Sequence, residues 1–295
     1  MWTLKNCGRI RILVMIRQKS FESDASTLYL VPTPIGNLQE MTPRALDILR
    51  NVAVVAAEDT RNTKKLLMAY SIDTPLLSHH EHNQEVSIPK ILSVLEQGKD
   101  VAVVSDAGYP LVSDPGQRLV QETIEKGFNV VSVSGANAAM NALVASGLSC
   151  YHYLFYGFLD AKSSKRKKQL SEIQSIPYTM IFYEAPHRIE DTLEDMLEVL
   201  GNRRMCLARE LTKVHEEYIR GTIQEVLEVA SSCKGEMVIV MEGYQKEEAI
   251  LDLNIAFSKV DAYVETGMRT KEAIGLVAKE MDCKKNELYE AYHKR

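Results

Sequence analysis

Cysteine is scarce in this chain of 295 residues, and what there is of it is poorly placed for metal or disulfide work. Cys7, Cys150, Cys206, Cys233 and Cys283 are odd in number, scattered, and never in CxxC spacing. That pattern excludes a disulfide frame and a zinc ribbon, and fits reduced thiols in a cytoplasmic protein. No apolar run approaches the roughly 20 residues needed to span a bilayer. Positive charge is not in excess either, since the net charge is -5. Wholesale coating of nucleic acid is thereby excluded, although a local basic patch still suffices for phosphate contacts. The GxGxxG fingerprint and the GxxxxGK[ST] phosphate loop are both missing, which removes support for NAD and ATP.

What is present is a long alternation of apolar strands and helices from Thr27 onward. Residues 1–26 read as an irregular basic arm. Its apolar patch, residues 10–16, is broken by Arg11 and lacks a small-residue cleavage site, so a signal peptide is not expected, and Met15 is a plausible start. Strands are expected at Leu28–Val31, Val52–Ala57, Val101–Ser105 and Val130–Val133. Thr42-Pro43 and Asp114-Pro115 each read as a cap followed by proline at the first helical position. Continuous apolar strands between helices predict a mostly parallel sheet covered on both faces, occupying residues 27–147.

Beyond a polar break the pattern changes. Residues 153–243 alternate five strands with helices at Ile189–Leu200 and Gln224–Ser231, as a mixed α/β sheet would. The tail, residues 249–295, is helical only. Its segments Thr270–Met281 and Asn286–His293, joined by a short turn, read either as a helix-turn-helix or as a two-helix cap on the body.

Three small-residue loops follow three of the early strands: Thr33-Pro34-Ile35-Gly36-Asn37, Asp106-Ala107-Gly108-Tyr109-Pro110 and Ser134-Gly135-Ala136-Asn137-Ala138. In an open parallel sheet such loops sit where ligands bind. The first two are about seventy residues apart, room for two βα units of about thirty residues each, so both can line one crevice. Glycine lets backbone approach a ligand and proline stiffens the approach. Three such loops suit a flat, partly apolar ligand contacted through backbone groups, as a nucleoside would be.

Charge gathers at other strand ends. Glu58-Asp59-Thr60-Arg61 follows one strand, Glu184 to Arg188 another, and Arg209 to Lys213 a third. These groups either form a salt-bridged network or act on a substrate. His79-His80-Glu81-His82 lacks HExxH spacing and a partner set, so no metal is expected. Lys162, Lys165, Arg166, Lys167 and Lys168 form the one dense basic run, suited to RNA phosphates or to a solvated face.

In order along the chain, Thr33 to Leu38, Ala57 to Arg61, Ser105 to Gly108, Ser113 to Gly116, Phe182 to Arg188 and Ala208 to Lys213 resemble the ribosomal RNA small-subunit methyltransferase I family, of the tetrapyrrole-methylase-like class. The sequence departs from that pattern at Tyr109, Ser134 and Asp160, where the family usually has threonine, proline and proline. The resemblance implies a two-domain class III methyltransferase fold and a homodimer. It implies transfer of a methyl group from S-adenosyl-L-methionine to the ribose 2′-hydroxyl of a cytidine in 16S rRNA, free or in the small ribosomal subunit. The donor regions it implies are Thr33–Asn37, Asp106–Pro110, Ser134–Ala138, Tyr183-Glu184-Ala185 and Glu236-Met237-Val238. Glu58, Asp59, Glu184 and Glu210 are then possible bases, and Arg61, Arg188 and Lys213 possible grips on the target nucleotide. A relative that methylates a tetrapyrrole or other small molecule, and a silent RNA-binding or ribosome-assembly factor on the same scaffold, are the alternatives.

Overall fold

The strands of the first half form because their residues are apolar on both faces and are buried on both. Val54–Ala57 and Val101–Val104 are buried at every position. The computed structural model describes residues 15–20, 22–114, 116–245 and 252–295. Residues 1–14 of the expected arm, and residues 249–251 at the start of the expected tail, lie outside these.

The order is β1 (Thr27–Leu30), α1 (Pro43–Asn51), β2 (Val54–Ala57), α2 (Thr60–Ala69), β3 (Leu76–Ser78), α3 (Gln84–Glu96), β4 (Val101–Val104), α4 (Gln117–Glu125), β5 (Asn129–Ser132) and α5 (Ala138–Ala145). The sheet runs β3-β2-β4-β1-β5, with every pairing parallel. Local capping fixes the helix starts. Thr42 accepts from the Ala45 amide with Pro43 at the first helical position, and Asn137 accepts from Met140. The second expected cap differs: α4 begins at Gln117 behind Gly116 at φ 136°, so Asp114 stays in the loop.

Then come β6 (Tyr153–Phe158), α6 (Ser163–Ile173), β7 (Thr179–Glu184), α7 (Ile189–Leu200), β8 (Arg204–Arg209), β9 (Glu217–Thr222), α8 (Ile223–Ala230) and β10 (Met237–Met241). This mixed sheet runs β6-β7-β10-β8-β9, parallel only between β6 and β7. One face packs α6, α7 and α8 through Leu170, Phe182, Leu193, Met196 and Val226. The other receives α5 and the loop after β1, where Ile35, Ala139, Ala142 and Leu143 meet Ile181, Ala208 and Val238. That apolar layer fastens the first sheet's loops onto the second sheet. Both sheets belong to one compact unit ending at Gly243.

The residues from Tyr244 form a second unit. It holds three helices where the sequence suggested two: α9 (Leu253–Glu265), α10 (Thr270–Glu280) and α11 (Lys285–His293). They share a small core of Ala256, Val260, Ile274, Val277 and Leu288. Among the described residues, no helix is long and apolar enough to cross a membrane.

Candidate active site

The strand order explains why three distant loops meet. β1 lies between β4 and β5, so the loops after β4, β1 and β5 emerge side by side at the carboxyl edge, where the order reverses. They are tied to one another through backbone. Thr33 and Gly108 exchange two hydrogen bonds of 2.9 and 3.0 Å, and the Tyr109 hydroxyl accepts from the Gly135 amide at 3.1 Å. Tyr109, a departure in sequence, is thus a brace between two loops. Gly108 sits at φ 76°, a conformation costly to any residue with a Cβ.

These loops and the facing edge of the second sheet enclose a cavity of about 390 Å³. That volume falls within the range of small-molecule sites. Ile35, Asp106–Tyr109, Asn137, Ala138, Tyr183, Glu184, Ala185, Glu236, Met237 and Val238 line it, all from the donor regions expected in sequence. Thr33, Pro34, Gly36, Asn37, Pro110, Ser134, Gly135 and Ala136 stand behind that wall or beside it. A Cβ on Gly36 would lie 2.5 Å from Lys213 Cγ, and one on Gly135 2.9 Å from Pro32 Cβ, so these two glycines serve loop packing. Val112, Ser113, Asp114, Phe158, Pro186 and Leu211 complete the lining. In sequence Asp114 falls within the Ser113 to Gly116 motif but has the signature of a helix cap, and that signature hides its place in the site.

The seven charged residues singled out at strand ends do not gather at this cavity. Of these, only Glu184 lines the cavity. It is buried, with Oε1 accepting from the Ala185 amide at 2.8 Å and Oε2 from Thr192 Oγ1 at 2.7 Å. Arg188 Nε stands 3.2 Å from Glu184 but lacks hydrogen-bond geometry, while its Nη2 donates to the Leu159 carbonyl at 2.8 Å. Asp59 caps α2 and binds Arg61 at 2.7 Å, which holds its carboxyl down at about 2. Lys213 bridges Glu210 and Glu236, each at 2.9 Å. The same Lys213 bond holds Glu210 below the usual carboxylate range. Glu58 is pushed up by burial and by Asp106. It neighbours Asp106 because β2 borders β4.

The basic run also divides. From Lys165 on it lies on α6, with Lys162 just before the helix, and Arg166 points inward: its side chain is 3% exposed and pairs with Asp195 at 2.6 Å. Arg166 is therefore a core residue, and its expected RNA contact is withdrawn. Lys167 pairs with Glu198 at 2.6 Å, whereas Lys162, Lys165 and Lys168 stay exposed. His79 is buried against Ser87, 2.8 Å from its hydroxyl.

Known proteins show the same plan. The family described as Tetrapyrrole (Corrin/Porphyrin) Methylases matches residues 27–227. Ribosomal RNA small subunit methyltransferase I of Bacillus subtilis (strain 168) is 48% identical over 286 residues, spanning 94% of this chain and 98% of its own. The chain belongs to the ribosomal RNA small subunit methyltransferase I family. A member from Streptococcus pyogenes serotype M1 is 43% identical over 283 residues, with 94% and 98% coverage. Among solved structures, diphthine synthase superposes with a TM-score of 0.58 at 13% identity, over 74% of this chain and 90% of its own. A cobalt precorrin-4 methyltransferase superposes with a TM-score of 0.55 at 15% identity, over 73% and 94%. At such identities the likeness is one of fold, and the fold is that of class III methyltransferases, which agrees with the expectation from the family's motifs.

Proposed function

We propose that this chain transfers a methyl group from S-adenosyl-L-methionine to the ribose 2′-hydroxyl of a cytidine in 16S rRNA. The observation that carries the reading is the cavity at the strand-order reversal, walled by the three expected loops in a chain of this family. Its lining fits the donor's chemistry. Ile35, Val112, Leu211 and Val238 offer apolar surface to a flat base. Asp106, Asp114, Glu184 and Glu236 put negative charge around a space suited to a cation. When bound, the donor supplies an electrophilic methyl on a positively charged sulfur.

The protein's task is then to hold a weak nucleophile in line and at near-attack distance. The bonds tying Thr33 to Gly108 and Tyr109 to Gly135 make the donor wall rigid before anything binds. Glu184, buried and held by Thr192 and the Ala185 amide, fixes the start of the chain after β7. The Glu210–Lys213–Glu236 bridge secures the opposite rim, with the Lys213 stem packed against Gly36. Lys162, Lys165, Lys168 and the helical tail grip the RNA. Exposed apolar side chains, Val144 and Tyr151 among them, support a homodimer, which light scattering tests.

The deciding experiment maps 2′-O-methylation in rRNA from cells with and without the gene, alongside calorimetry with S-adenosyl-L-methionine. Loss of a single cytidine modification is expected. Unchanged rRNA from a donor-binding protein would redirect the reading to a small-molecule substrate.

A further inference from the structure

Four acids were singled out in sequence as possible bases, and the structure leaves each of them badly placed to take a proton. Asp59 is bound to Arg61, and Glu210 to Lys213. Neither these two nor Glu58 lines the cavity. Glu184 does, but donors already occupy both of its oxygens. Of the other lining acids, Glu236 is paired with Lys213, and Asp106 accepts from Asn62 Nδ2 at 3.1 Å.

Asp114 too accepts a hydrogen bond, from the Ser105 hydroxyl, but it is more buried than Asp106 and is not paired with a cation among the described residues. It lines the cavity and is half-buried, and its surroundings are acidic or neutral. Glu58 comes from the end of β2, Asp106 from the loop after β4, and Tyr183 of β7 lines the same cavity within electrostatic reach. Glu184 and Glu236 share the same cavity. We infer that Asp114 is the general base that accepts the proton of the attacking ribose hydroxyl, an assignment that rests on the function proposed above.

The backbone is built to deliver this side chain. Leu111 at φ 73° and Ser113 at φ 67° hold the loop in a conformation rarely taken by residues other than glycine. Such strain persists only where surrounding structure imposes it. Here the opposing sheet does so: a Cβ on Gly157 would lie 3.2 Å from Ser113 Oγ, so glycine at that position lets the loop cross to the second sheet. Phe158, next along, lines the same cavity. Burial first, then Glu58 and to a lesser degree Asp106, push the Asp114 carboxyl up to about 6, against the opposing hydrogen bond from the Ser105 hydroxyl. A base with that affinity is largely ionised at neutral pH, yet far more basic than an ordinary carboxylate.

In the step, the ribose O–H bond breaks and its proton passes to Asp114. The oxygen's electron pair forms the new C–O bond to the methyl group. The methyl–sulfur bond breaks, and its pair remains on sulfur, which becomes neutral. Asp114 then loses the proton to water.

The test compares wild type with Asp114→Asn and Asp114→Glu in single-turnover methylation of small-subunit RNA, with thermal melts to establish folding. Asp114→Asn should lose at least about a hundredfold in rate, with donor affinity by calorimetry little changed. The wild-type rate should rise with pH through about 6. That limb should vanish in Asp114→Asn and persist in Asp114→Glu, which keeps a carboxylate. Independently of activity, carbon-13 spectra of the donor-free protein should show a carboxyl titrating near 6 that Asp114→Asn lacks. An Asp114→Asn rate within about tenfold of wild type, or an unchanged acid limb, overturns the assignment alone. A wild-type protein that neither binds the donor nor methylates rRNA overturns the proposed function and this assignment together.

Discussion

Replacing Arg166 with methionine separates a core role from a nucleic-acid role at a position where the sequence suggested the latter. The side chains of Arg166 and Asp195 are 3% and 8% exposed. Arg166 Nε donates to Asp195 at 2.7 Å, and its Nη atoms reach the carbonyls of Ala161 at 3.3 Å and Asp191 at 3.2 Å. Removing one partner of such a pair costs about 3–5 kcal/mol, because the other is left charged and poorly solvated. Asp195 keeps Ser163 at 3.0 Å and Lys167 at 3.4 Å, so the lower end applies. At about 2–4 °C per kcal/mol for a unit of this size, a cost of about 3 kcal/mol lowers the melting temperature by about 6–12 °C. The assay is calorimetric melting of Arg166→Met beside Lys168→Ala, whose exposed side chain predicts a change within about 0.5 kcal/mol. Adding Asp195→Leu to Arg166→Met should recover most of the loss, since an apolar pair can replace a buried ion pair. A melting temperature unmoved by Arg166→Met, together with weakened RNA binding, would refute the reasoning.

Gly108→Val should abolish donor binding in calorimetry while the protein stays folded, because φ 76° excludes a β-branched residue and the added carbon would abut Ile35 at 3.5 Å. Undiminished affinity would remove the loop from the site. Deleting Tyr244–Arg295, a separate compact unit, should leave donor affinity intact and weaken binding to small-subunit RNA; the converse outcome would reassign the tail. Asp114, with its carboxyl raised to about 6, binds its proton more tightly folded than unfolded, so its contribution to stability is full below about 4 and lost as pH rises through 6. Thermal melts should therefore find Asp114→Asn more stable than wild type at pH 7.5, with the gap closing towards pH 4.

Much of the fold was legible because apolar runs such as Val54–Ala57 and Val101–Val104 can only be buried strands. β3 escaped notice because its three residues are at most partly buried. α6 escaped because Arg166 takes a core position beside Leu170 and Ile173, and an arginine there breaks the apolar period and reads as surface charge. The cavity wall was legible through its glycines, prolines and small polar residues. The pairing of the seven strand-end charges was not, since it depends on which strands are neighbours. Asp114 was hidden by a local rule: an aspartate before proline usually starts a helix, but here Gly116 at φ 136° delays the start to Gln117.

The strand order links these points into one electrostatic consequence. Because β4 inserts between β1 and β2, the chain ends after β2 and β4 bring Glu58, Asp106 and Asp114 into one neighbourhood. Mutually repelling carboxylates, Asp106 and Asp114 lining the cavity and Glu58 behind them, destabilise the folded protein at neutral pH. A monovalent cation seated among them relieves that repulsion, and a neutral ligand of the same shape does not. Product in which the sulfur has lost its charge should therefore bind with less electrostatic support than donor. The difference should shrink when Asp114 is replaced by asparagine and when ionic strength is raised. Calorimetric titrations with donor and with its demethylated product, each at low and high salt, measure it directly. Equal salt dependence for the two ligands would mean that the acids at this edge do not sense the sulfur's charge.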